Sequence, residues 1–129
     1  MSAERDAVLA ANDAFYRAFE KRNFEMMEAV WSRGISSLCA HPGRLPLEGW
    51  SNIGTSWQGI FRNIDYIEIE TEIISAEVNG DLAYIVLVEN VLQVVKNRRI
   101  EAKSLATNVF ERMGGQWFLM HHHGSPVVK

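Results

Sequence analysis

The sequence predicts a single α+β domain in which three helices come first and a curved, mainly antiparallel sheet follows. Three observations carry this reading. Apolar residues recur at helical spacing through the first half, as in Val8, Ala11, Phe15, Ala18 and Phe19. From Tyr66 onward the period falls to two, with Ile67, Ile69 and Ile73 alternating against Glu68, Glu70 and Glu72. Turn signals at Asn79-Gly80, Lys96-Asn97-Arg98 and Gly114-Gly115 cut that second half into hairpins with no helix between them. Helices segregated from strands define the α+β class.

Each element has a local reason. Ser2 is placed to cap the first helix, with Glu4 and Asp6 complementing its N-terminal dipole and Lys21 and Arg22 its end. Asn23 caps a second helix that buries Phe24, Met27, Val30 and Trp31 and runs to Gly34. Ile35 to Ala40 is an apolar run of strand length, and His41-Pro42-Gly43 and Pro46 then impose a loop. A third helix begins near Gly49 and presents Ile53, Trp57, Ile60, Phe61 and Ile64 on one face. Four long strands follow: Tyr66 to Val78, Leu82 to Val95, Arg99 to Met113 and Gln116 to His123. In Asn79-Gly80 both residues are expected at positive φ. The strand from Leu82 is apolar on both faces and so needs two covers. The helices supply one. A second copy of the sheet supplies the other, so a homodimer through the outer sheet face is expected.

Composition narrows the function classes. The net charge is −3, and the one basic cluster, Lys96, Arg98, Arg99 and Lys103, sits at a predicted turn. No basic face is available for a nucleic-acid partner. The opening carries Glu4 and Asp6 where a secretory signal would be apolar, and no window approaches the ~18 apolar residues of a membrane span. A cytoplasmic protein with no membrane association is expected. Cys39 is the single cysteine, so no intrachain disulfide forms, and it reads as a small core hydrophobe.

The order of elements and certain motifs resemble the nuclear transport factor 2-like superfamily, and within it the SnoaL-like, polyketide-cyclase-like group. The match rests on His41-Pro42-Gly43-Arg44 before Gly49, the helix with Trp57, Ala106-Thr107-Asn108-Val109-Phe110, and Trp117 through His123 into Ser125-Pro126. It spans residues 1–129 as one SnoaL-like domain. The resemblance implies a cone-shaped cystatin-like fold, with a pocket between the first helix, the His41–Arg44 loop, the third helix and the concave sheet. It also agrees with dimerisation. It leaves the activity open, because the fold carries enzymes and non-enzymatic scaffolds alike.

His41 is the expected catalytic base. In ketosteroid isomerases of this fold a base carboxylate followed by proline occupies about this position, and imidazole can do the same work near neutral pH. The oxyanion donors of that pattern are replaced: Phe15 stands in for the first-helix tyrosine, with Tyr16 about 100° away round the helix, and Ala106 or Thr107 for the acidic donor. Strand alternation puts His121 and His123 on one face with Trp117 and Leu119, and His122 on the other with Phe118 and Met120. His121 and His123, together with Asn108, Glu89, Trp57 and Phe61, are the expected ligand-binding residues. Glu89, on the face of Ile85 and Leu87, is either a carboxyl of raised pKa that serves as acid or base, or a structural group hydrogen-bonded to a neighbouring strand or ion-paired with a residue such as Arg44. Two imidazoles on one strand face are also a metal-ligand spacing, with His41 or Glu89 as the available third ligand. The reading carried forward has no metal and no cofactor: a protein for a small hydrophobic molecule, doing metal-free acid–base chemistry on it, or alternatively a non-catalytic dimeric scaffold or ligand-sensing module.

Overall fold

The structure, a computed structural model, describes residues 2–128. Helix α1 (Ala3–Lys21) starts where the Ser2 hydroxyl accepts the Arg5 N–H at 2.9 Å. It ends where Arg22 turns left-handed at φ 51° and Asn23 N–H returns to the Ala18 carbonyl. Asn23 then accepts the Met26 N–H through its side chain and opens α2 (Phe24–Val30). Helix α3 (Trp50–Asn63) buries Ile53, Gly54 and Trp57. No described helix is long and apolar enough to cross a membrane.

Six strands follow or interleave: β1 (Leu38–Ala40), β2 (Leu47–Glu48), β3 (Tyr66–Asn79), β4 (Leu82–Val95), β5 (Arg98–Met113) and β6 (Gln116–Pro126). They form one sheet in the order β2-β1-β6-β5-β4-β3, antiparallel throughout except where β1 runs parallel to β6. Helices cover one face. Phe15 holds the two layers together, with its ring edge-on to Tyr16, Trp31 and Trp57 at centroid distances of 4.7, 6.2 and 5.6 Å. Ile85, Leu87, Phe110 and Leu119 close the core from the sheet side, all fully buried.

Four local expectations give way. The second helix stops at Val30 rather than Gly34, because Trp31 turns extended and bridges to Leu119 of β6. Ile35 lies outside any strand and is 89% exposed, so β1 begins only at Leu38, where pairing with β6 becomes available. The loop after His41 contains the short strand β2, which pairs back onto β1. The first hairpin turns on Gly80-Asp81 with only Gly80 at positive φ, since Asn79 already pairs with Leu82. Lys96-Asn97 and Gly114-Gly115, in contrast, have both residues at positive φ.

Two bulges bend the long strands. One falls at Ile74 in β3, between the pairs Ile73–Leu87 and Ser75–Val86. The other falls at Met120 in β6, where Phe110 pairs with Leu119 but Val109 pairs with His121. An extra residue on one strand strengthens twist and re-aims the side chains beyond it. Four residues past the second bulge, Gly124 faces inward under the Pro42 ring, and a Cβ there would lie 3.0 Å from Pro42 Cγ. The ring cannot rotate away, so the contact fixes the His41–Arg44 loop against β6. Gly124→Ala is therefore expected to cost about 1–3 kcal/mol by overpacking, measured by urea denaturation, with the loss relieved by Pro42→Ala in the same chain.

Candidate functional site

A cavity of about 280 Å³ lies between the helical layer and the concave sheet. Phe19 from α1, Ile60 and Ile64 at the end of α3, and Ile67 and Val91 from the sheet make it apolar. Its polar wall is His41, Glu89, Ser104, Gln93 and His122, and Arg44 stands among the lining residues. β4 delivers Glu89 inward by simple alternation with Ile85 and Leu87, and β5 delivers Ser104 and Asn108 opposite.

Behind that wall runs a chain of buried polar groups. The Tyr16 hydroxyl donates to Glu89 Oε2 at 2.6 Å. Asn108 Nδ2 donates to the Tyr16 oxygen at 3.1 Å and to Asn12 Oδ1 at 2.9 Å. With both amide protons used there, Asn108 Oδ1 is left as an acceptor, 2.6 Å from His122 Nδ1. The proton of that bond resides on Nδ1, which leaves Nε2 as a bare lone pair, 3.9 Å from Glu89 Oε2. Burial holds the Tyr16 hydroxyl well above its ordinary value, so it remains a donor throughout the working pH range. Burial also raises Glu89, while the Tyr16 hydrogen bond pulls it back. Desolvation, helped by the neighbouring imidazoles, lowers His122 to about 3. The two groups facing each other are thus a carboxyl biased toward holding its proton and an imidazole biased toward lacking one.

His41 forms a second station on the wall. Its Nε2 is 2.8 Å from Ser56 Oγ, and its ring stands edge-on to Trp57 at 5.0 Å. Burial, with the Arg44 charge adding to it, lowers His41 to about 4. Cys39 Sγ lies 3.7 Å from His41 Nε2, but burial pushes the thiol up to about 12, so no thiolate is available.

Of the residues read from sequence as site residues, His41 and Glu89 lie on the cavity wall and the others lie elsewhere. Trp57 is fully buried behind His41 and Phe19 as core. Phe61 packs on Phe19 and Trp57, and Ile60, one position earlier on α3, takes the wall instead. Asn108 sits a layer behind, holding His122 and Tyr16 in place. His121 and His123 point to the outer face, their rings 6.4 Å apart, and His122 enters the cavity. The Met120 bulge is the reason: it adds one residue after Leu119, so Leu119 and His122 share the inward face. Tyr16 was missed as well. Its angular offset from Phe15 directs it to Glu89 rather than away from the cone. Glu89 bonds Tyr16 and forms no ion pair with Arg44. Among the described residues no three of His, Cys, Asp and Glu converge as a metal-ligand set.

A helix-capped, bent sheet with a polar-walled cavity beneath its first and third helices defines a nuclear transport factor 2-like protein. Residues 8–129 match the SnoaL-like domain, and the chain belongs to that family. Its structure is similar to that of a candidate dehydratase of the NTF2-like family from Streptomyces avermitilis. The two are 30% identical over 96% of this chain and 97% of that one, with a TM-score of 0.89. It is similar also to a candidate calcium/calmodulin-dependent protein kinase type II association domain from Thiobacillus denitrificans. There the identity is 30%, over 92% and 93% of the two chains, with a TM-score of 0.82. Among curated proteins it is 24% identical over 122 residues to F-box protein SKIP8 of Arabidopsis thaliana. The match takes in 95% of this chain but spans only half the length of that relative.

The buried imidazoles make stability depend on pH. Unfolding releases His122 and His41 to titrate near 6.5, above their folded values of about 3 and about 4. Across that interval the unfolded chain holds more protons, so stability is complete above pH 6.5 and falls as pH falls. Glu89 has the opposite sign. Its raised folded pKa gives a contribution present below the ordinary carboxyl value and lost as pH rises through the raised one. Urea titrations between pH 4 and 6.5 should show His122→Gln with a shallower slope than the wild type. The difference should be up to about 1.4 kcal/mol per pH unit, the linkage of one proton.

Proposed function

We propose that this protein binds a small, largely apolar molecule in the cavity and moves protons on it through Glu89 and His122, without metal. The observation that carries the reading is the facing pair itself: a carboxyl of raised pKa 3.9 Å from the unprotonated Nε2 of an imidazole whose own pKa is lowered. Environments that push two titratable groups apart are the usual arrangement for an acid and a base in one site. In an elimination of water, the Glu89 carboxyl gives its proton to the departing hydroxyl oxygen. His122 Nε2 takes the proton released from the adjacent carbon, the C–O and C–H bonds break, and a double bond forms. Transfer of that proton from Nε2 back to the carboxylate resets the pair. Tyr16 steadies the carboxylate form in between. Similarity to a candidate dehydratase supports this direction. His41, bonded to Ser56 on the same wall, is the other base within reach of a bound molecule.

A second reading, a non-catalytic ligand-sensing or scaffold module, is favoured by the likeness to a kinase association domain and to half of an F-box protein. Under either reading we propose a homodimer through the outer sheet face. Tyr84, Val86 and Val88 of β4 stand opposite Val109, Thr107 and Leu105 of β5 there, with Tyr84 and Leu105 more than 40% exposed. Apolar residues at the centre and Glu68, Glu70 and Glu72 along the β3 edge suit a two-fold, self-complementary contact.

Proton NMR in D2O with cyclohexanone and acetophenone tests the first reading by following exchange of the hydrogens next to the carbonyl. The expected result is catalysed exchange that drops by about 10²–10⁴-fold in Glu89→Gln, with binding of the ketone retained. Binding without exchange in the wild type would move the protein to the sensing module. For the dimer, light scattering should give twice the chain mass for the wild type and a single chain mass for Val88→Glu.

A further inference from the structure

The cavity has one charged entrance, and its sign says something about the occupant. An open groove adjoins the cavity along α3, and the two share Arg44, Ile60, Ile64 and Gln93. The groove's remaining polar residues, Asn52, Thr55, Ser56 and Asn63, are uncharged. Among the described residues no carboxylate lines it, and Glu89, which bonds Tyr16 at the inner end, is the one acidic residue on the cavity wall. Arg44 therefore contributes the single unbalanced charge of the passage. Among the described residues its guanidinium enters no ion pair and no side-chain hydrogen bond, whereas Arg17, Arg99 and Arg112 all have carboxylate partners. Its backbone is fixed: Arg44 N–H donates to the His41 carbonyl at 3.0 Å, and Pro42, two residues before it, packs on Gly124. A cation held at the mouth of a low-dielectric cleft concentrates anions there, and guanidinium matches the planar carboxylate with two parallel hydrogen bonds.

We propose that the occupant is a small apolar carboxylic acid, with its ring or chain in the cavity and its carboxylate on Arg44 at the mouth. A volume of about 280 Å³ lies just below the size, about 300 Å³, at which drug-sized sites start. That admits one ring or a short branched chain. Carboxylate is chosen over phosphate because a phosphate dianion would face one cation and a set of neutral amides. The orientation places the far end of the acid, and any carbonyl or hydroxyl it bears, against Glu89 and His122. The inference rests on the reading of the cavity as a ligand site.

The test is isothermal titration of the whole chain with benzoate and cyclohexanecarboxylate, each against its neutral amide, and with phenyl phosphate. The wild type should take the acids at least tenfold more tightly than the amides, with the preference shrinking as NaCl is raised. Arg44→Ala should abolish the preference while leaving amide binding in place, and Arg44→Lys should restore part of it. Ser104→Phe, which fills the cavity, should abolish binding of acid and amide alike. Equal binding of acid and amide, both lost in Ser104→Phe, would overturn the carboxylate inference and leave the cavity reading standing. Tighter binding of phenyl phosphate than of benzoate would overturn it too. Binding of none of the five compounds would overturn both. Arg44 is exposed on a loop, so its variants should keep the wild-type unfolding midpoint, and a retained preference in folded Arg44→Ala would assign the effect elsewhere.

Discussion

The rest of the structure depends on how a carboxyl group is accommodated inside an apolar cone. Glu89 is 5% exposed and flanked on β4 by Leu87 and Val91. An uncompensated polar group there would cost several kcal/mol, on the order of 2–7 for the uncharged form. The compensation involves four other residues from three elements: Tyr16 and Asn12 of α1, Asn108 of β5 and His122 of β6. Each occupies a position that a larger or smaller apolar residue would otherwise fill. The network spans the helical layer and the sheet, so α1 cannot shift along the sheet without breaking it. Polar satisfaction and the placement of α1 are one requirement.

The same network sets which groups on the wall give and which accept hydrogen bonds. Asn108 accepts from Nδ1 of His122, which sets the tautomer and turns the other nitrogen to the cavity. That setting is indirect: Asn108 touches no occupant, but its amide protons are committed to Asn12 and Tyr16, and only its oxygen remains for the imidazole. Electrostatic preorganisation of this kind comes from folding, before any molecule enters. His41 lacks such backing. Its partner is a serine hydroxyl that can rotate to give or take a proton, so its tautomer is left free.

The fold was legible in the sequence because periodicity reports which face of an element is buried, and here most elements are regular. Helix α1 follows from Ser2, its apolar repeat and the Arg22–Asn23 exit; the three hairpins follow from their turn residues. What was not legible falls where regularity fails. Alternation assigned His121 and His123 to the face of Leu119, and a single extra residue at Met120 reversed them. Nothing in Leu-Met-His announces a bulge, which shows only in the pairing of β6 with β5. Tyr16 was dismissed by its angle from Phe15, but a residue at the border of a helix's buried face can still reach inward if a partner draws it. The partner, Glu89, lies 73 residues away in sequence. His41 and Glu89, which the structure places on the cavity wall, stand out locally in the sequence, one before a proline and one in the middle of a hydrophobic strand.

Three successive imidazoles make β6 ambiguous in a way that few strands are. If the bulge at Met120 were ironed out, His121 would replace His122 opposite Asn108, and the polar chain would still end in an imidazole. The histidines are interchangeable, so they cannot dictate the alignment of the strand. Gly124 can. Flattening would carry His123 into its place opposite Ala106, beneath the Pro42 ring, where even a Cβ would stand only 3.0 Å from Pro42 Cγ. The choice between two nearly equivalent threadings of the chain through its own sheet is thus made by the residue that has no side chain.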